Sequence, residues 1–120
     1  INVSSTAGVR AIPGASPYCA TKAAVSMLTK ATALEYIPYG IRVNGVLPGH
    51  IDTPMMDSVI KGMEENGLEN AHYKVHHESN PIKRLGSPEE VASIILFLAS
   101  DDSSFVVGSE IYADGGFAAG

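Results

Sequence analysis

Tyr18 and Lys22 are the side chains in this sequence best suited to chemistry, four positions apart in Tyr18-Cys19-Ala20-Thr21-Lys22. On a helix that spacing stacks both on one face, about 6 Å apart along the axis. A fixed ammonium beside a phenol favours the phenolate, so the pair could trade a proton with a substrate oxygen. Ordinary helix surfaces carry the same spacing, and the neighbouring residues have to decide between the two readings. Cys19 sits inside the pair, but lone cysteines are most often small buried packing residues, and that is the expectation here.

The elements that must position the pair follow from local signals. Ile1-Asn2-Val3 reads as the end of a buried strand, followed by the small polar loop Ser4-Ser5-Thr6-Ala7-Gly8. Ser5 then lies at a strand's carboxyl end, the edge where ligands bind in open α/β sheets. Ser16 as N-cap and Pro17 at the first position start a helix that runs to about Tyr36. Ala20, Ala23, Ala24, Met27, Ala31 and Leu34 give it a small-residue apolar surface suited to close packing on a sheet or another helix. Pro38 and Gly40 stop it, and residues 41–46 read as a second strand running into Pro48-Gly49. An intervening helix of this length makes the two strands parallel.

Residues 51–85 are the least core-like stretch and read as a lid or substrate loop. A short helix opens at Thr53-Pro54 and ends at Asn66-Gly67, and a second polar helix covers Leu68 to His77. Ser87-Pro88-Glu89-Glu90 is a capping box, opening a helix with Val91, Ile94, Ile95 and Leu98 on one face. Glu110 to Asp114 reads as the last strand. The order is strand, helix, strand, helices, strand, which is an α/β fold.

The chain has 120 residues, is 45% hydrophobic and 18% charged, and carries a net charge of −5. Those values suit a folded α/β protein and leave no basic cluster for nucleic acid or an anionic membrane. No apolar run approaches the roughly 20 residues needed to span a bilayer. One cysteine excludes an internal disulfide framework and fits a reducing compartment, so a cytoplasmic location is expected. His72 and His76 stand at i, i+4 near Glu69 and Glu78, but with His77 they match no established zinc pattern. They read as a solvated helix face, and no metal site is expected.

Five blocks occur in order: Ile1-Asn2-Val3-Ser4-Ser5, Tyr18 to Val25, Ile41-Arg42-Val43-Asn44, Pro48-Gly49 with Thr53-Pro54, and Asp114-Gly115-Gly116. Together they resemble the classical short-chain dehydrogenases/reductases over essentially the whole chain. The resemblance implies a Rossmann-like doubly wound parallel sheet, of which residues 1–120 would be the carboxyl-terminal part, with the lid at about 51–85. It implies Tyr18 as general acid/base, Lys22 easing release of the phenolic proton and holding the nicotinamide ribose, and Ser5, thirteen residues before Tyr18, holding the substrate oxygen. Ser4 is the adjacent alternative, but strand alternation points it away from Ser5. Pro48, Gly49, Ile51 and Thr53 would meet the cofactor, NAD or NADP, and His50, between Gly49 and Ile51, would border the substrate.

The implied activity is interconversion of an alcohol and a ketone by a cytoplasmic homo-oligomer, a tetramer or dimer. The alternative is a non-catalytic family member or fragment acting as a binding or assembly module. Val107 departs from the family's usual threonine. No Gly-x-x-x-Gly-x-Gly phosphate loop occurs in these residues. About four strands are therefore expected upstream, and the 120 residues alone are expected neither to bind a dinucleotide nor to turn over.

Overall fold

The computed structural model describes residues 1–78 and 80–119, with the side chains of His72, His76 and His77 excepted. Three short strands, β1 (Asn2–Val3), β2 (Gly45–Pro48) and β3 (Glu110–Ala113), form a parallel sheet in the order β1-β2-β3. Asn2 is in register with Gly45, and residues Gly45 to Pro48 of β2 run beside Glu110 to Ala113 of β3. Helix α1 (Ser16–Tyr36) crosses from β1 to β2, and α2 (Pro54–Glu65), α3 (Ala71–Tyr73) and α4 (Pro88–Ala99) lie between β2 and β3. All three strands therefore open their carboxyl ends on one edge. The α/β class and the order of elements agree with the sequence reading.

The central strand supplies the core: Val46 and Leu47 are fully buried, with Ala33 of α1 and Leu98 of α4. Helix α1 is held to β1 by hydroxyls. Asn2 Nδ2 donates to Thr29 Oγ1 at 3.0 Å, Ser4 Oγ donates to the Lys22 carbonyl at 2.7 Å, and Ser4 Oγ meets Ser26 Oγ at 2.9 Å. Ser26, Thr29 and Ala33 are the buried residues of this helix. Of the two packings expected for the small-residue face, on a sheet or on another helix, the sheet does not take it. Ala20, Ala23, Ala24, Met27, Ala31 and Leu34 are all exposed, Met27 by 64% and Leu34 by 76%, because the helix docks through its hydroxyl-bearing side.

Two boundaries also differ. Ala15, without a side-chain cap, precedes α1 where Ser16 was expected to cap it. Residues 41–44 do not pair as a strand. Arg42 instead reaches Ser103 Oγ and the carbonyls of Leu98, Ser100 and Val106, and buried Asn44 donates to the Val106 carbonyl while accepting from Ser109 N–H. Their side chains tie the β2 entry to the turn after α4.

Residues 51–85, expected as a lid or substrate loop with two helices, carry a small core of their own. Ile60, Ala71, Val75 and Leu85 are buried together with Met56 against them, so the segment is internally packed. It is closed at its ends by a parallel bridge between Ile51 and Gly86. The second helix of this segment is shorter than expected as α-helix, and passes into a π-helical turn over Lys74–Glu78. Thr53 caps α2, and Ser87 with Glu90 forms the expected capping box of α4.

Candidate active site

Tyr18 and Lys22 stand in the first two turns of α1, where β1 ends. The Lys22 ammonium donates to the Val3 carbonyl at 3.1 Å and lies 5.7 Å from the centre of the Tyr18 ring. Lys22 is half-buried, and Tyr18 is 42% exposed. The helix can come this close because position 8 has no side chain. A Cβ on Gly8 would sit 2.8 Å from the Lys22 carbonyl carbon and 2.9 Å from its oxygen. Cys19, expected to be buried, is half-buried and free.

Ser5 and Ser4 separate as strand alternation predicts. Ser4 is buried against α1, and because its hydroxyl donates to the Lys22 carbonyl, Ser26 must donate to it. Ser5 is half-buried at the carboxyl end of β1 and caps the 3₁₀ turn Thr6–Gly8 by accepting from Ala7 N–H at 3.2 Å. Its own O–H remains available to donate. Thr6, the next residue, donates to the Pro48 carbonyl at 3.4 Å and ties this turn to the end of β2.

Pro48 and Gly49 close β2, with Gly49 N–H donating to the Ala113 carbonyl at 3.0 Å. A Cβ on Gly49 would fall 2.7 Å from Asp114 Cβ, so glycine lets the two strand ends approach. In the bridge to Gly86, the His50 carbonyl and the Asp52 N–H are the bonded groups. The amide and carbonyl of Ile51 therefore face away from Gly86. Thr53 Oγ1 donates to that Ile51 carbonyl at 3.3 Å while accepting from Met56 N–H. Part of the hydroxyl's capacity is thus spent on capping α2.

His50 Nδ1 lies 3.1 Å from Asn80 Oδ1, and its ring meets Phe117 edge-on at 4.7 Å. The Arg10 guanidinium covers the same Phe117 ring, 4.5 Å from its centre, and also bonds the Phe117 carbonyl. Asp114 folds the segment that carries Phe117, accepting from Gly116 N–H and Ala118 N–H. Ser5, Tyr18 and Lys22 thus share the β1 end, while Pro48, Gly49, His50, Ile51 and Thr53 share the β2 end. Metal-binding clusters are absent among the described residues, and the side chains of His72, His76 and His77 lie outside them.

Residues 1–118 match the family profile described as Enoyl-(Acyl carrier protein) reductase. Across 117 residues the chain is 46% identical to a cyclohexanol dehydrogenase of Acinetobacter sp. (strain SE19), covering 98% of this chain and 42% of that protein. The chain belongs to the short-chain dehydrogenase/reductase family. Two solved structures share the fold. The crystal structure of a levodione reductase superposes with a TM-score of 0.91 at 39% identity, over 98% of this chain and 45% of that one. An actinorhodin polyketide ketoreductase with NADPH superposes at 0.90 and 32% identity, over 98% and 46%. This short-chain dehydrogenase/reductase chain spans less than half the length of the curated relatives it matches.

Sequence reasoning missed Arg10, Asn80 and Phe117, which join His50 across 107 positions of chain. None carries a local signal. The one available hint was the pairing of a buried asparagine with a histidine, which requires the fold to be seen.

Proposed function

We propose that the chain is the carboxyl-terminal, catalytic part of an NAD- or NADP-dependent enzyme that interconverts an alcohol and a ketone. The observation that carries this reading is the Lys22 ammonium, tethered to the last carbonyl of β1 beside the Tyr18 ring. Ser5 follows on the same strand end with a free O–H. In reduction, a hydride adds to the carbonyl carbon, the C=O electron pair moves to oxygen, and Tyr18 gives that oxygen its phenolic proton. Ser5 holds the oxygen, and Lys22 faces the phenolate that remains.

The nicotinamide, when bound, supplies or accepts the hydride. The donors present suit it: an ammonium beside a phenol fits a ribose diol, and the outward amide and carbonyl of Ile51 fit a carboxamide. Pro48, Gly49 and Thr53 shape the same edge. Cytoplasmic location and assembly as a tetramer or dimer belong to this proposal. The exposed Ala, Met and Leu face of α1 supports the assembly, and helices long and apolar enough to cross a membrane are absent among the described residues.

The same bare face also favours a second reading, a non-catalytic binding or assembly module. The test is Tyr18→Phe in the intact protein. Hydride transfer should fall by about 10²- to 10⁴-fold, while titration of nicotinamide fluorescence shows the cofactor still bound. Normal turnover by that variant sinks the assignment, and absence of cofactor binding by the unaltered protein favours the module.

A further inference from the structure

The hydrogen bonds around His50 fix its tautomer. Asn80 is 2% exposed, and its Nδ2 donates to the Arg84 carbonyl at 2.9 Å, which sets which end of the amide is oxygen. Oδ1 can only accept, so the proton in its 3.1 Å contact with His50 resides on Nδ1. In the neutral imidazole Nε2 then bears a lone pair, and no described residue bonds to it. The ring is also held against rotation. Phe117 packs on it at an interplanar angle of 69°, and Phe117 is pinned in turn by Arg10.

His50 and Asn80 line a cavity of about 310 Å³ at the carboxyl ends of β2 and β3, together with Ile82, Tyr112 and Asp114. Ile51, Ile82 and Ile94 share the wall with Arg84 and two carboxylates. Glu90 is already engaged by Arg84 and Ser87 N–H, and Asp114 by Gly116 and Ala118 N–H, whereas Nε2 of the clamped His50 has no bonded partner among the described residues. Such a group discriminates by what it is denied: a ligand without a donor leaves the nitrogen desolvated and unpaired.

We propose that His50 is a specificity residue whose Nε2 accepts a hydrogen bond from a hydroxyl borne away from the reacting carbon. Resting on the alcohol–ketone reading above, this makes hydroxylated ketones or diols the preferred substrate class over plain ring ketones. Asn80 and Phe117 are positioning residues that act through His50.

Two measurements on the intact protein test it. Nitrogen-15 NMR of the imidazole should show the Nδ1–H tautomer and a shift at Nε2 when a monohydroxylated cyclohexanone is added, but none with cyclohexanone. In steady state, kcat/KM should favour the hydroxylated ketone by about fivefold, and His50→Phe should erase that preference. Asn80→Ala should reduce the preference too, with its Nδ1–H signal lost. The Nε2–H tautomer overturns the proposal, as does equal discrimination before and after His50→Phe. A protein that transfers no hydride to either ketone refutes the reaction instead, and the ligand-induced shift at Nε2 still decides the hydrogen bond.

Discussion

Replacing Gly8 with alanine tests whether the contact between α1 and the turn after β1 sets the geometry of the site. The added Cβ would lie 2.8, 2.9 and 3.0 Å from the Lys22 carbonyl carbon, the Lys22 oxygen and the Ala23 nitrogen. Carbon atoms rest at about 3.5–4.0 Å, so at least one backbone must yield by roughly 0.7 Å. All three obstacles are helix backbone, so no side chain can swing aside. Overpacking of this kind costs about 1–3 kcal/mol, which in a domain of 150–250 residues lowers Tm by about 2–4 °C per kcal/mol. The same shift moves Lys22 and Tyr18 away from Ser5, and a misplacement approaching 1 Å lowers kcat by as much as about 10²-fold. The assay is a thermal melt and steady-state turnover of the intact protein. Gly62→Ala is the control, because nothing lies within 4 Å of a Cβ there and the change from glycine in a helix should stabilise by up to about 1 kcal/mol. Unchanged Tm and kcat in Gly8→Ala would refute the close-approach argument.

Arg42→Met should cost about 2–3 kcal/mol in chemical denaturation, since Ser103 Oγ and the carbonyls of Leu98, Ser100 and Val106 lose their common donor; cofactor affinity should hold. Acid should loosen the start of α4. The Arg84 guanidinium, and after it the Ser87 N–H, hold the Glu90 carboxyl down from the usual 4.5 to about 2. That contribution is whole above pH 4.5 and is lost as pH falls towards about 2. Tm measured against pH should drop over this window, and Glu90→Gln should flatten the drop.

What the sequence made legible was local. Ser87-Pro88-Glu89-Glu90 specifies its own cap, Thr53-Pro54 starts α2, and Ser4 and Ser5 part by strand alternation, each over a few residues of chain. Residues 41–44 misled because their apolar alternation resembles a strand, while Arg42 and Asn44 are used for contacts some 60 residues away. The side of α1 that meets β1 was not legible for a related reason. Hydropathy picks out Ala, Met and Leu and cannot weigh Ser26 and Thr29, whose burial depends on partners in and just after β1. The core of residues 51–85 was hidden by the polar residues around Ile60, Ala71, Val75 and Leu85. The Arg10–Phe117–His50–Asn80 cluster draws on four distant segments and has no sequence signature at all.

The hydroxyl-lined seam between β1 and α1 has a mechanical consequence. Two oily surfaces can slide by a fraction of a turn at little cost, because dispersion contacts are short-ranged but not directional. The bonds of Asn2 to Thr29 and of Ser4 to Lys22 and Ser26 tolerate neither translation nor rotation. They act as the teeth of a key, indexing α1 against β1 at one axial setting. The outward face of the helix can then exchange residues, or acquire a neighbour, without changing where Tyr18 and Lys22 stand.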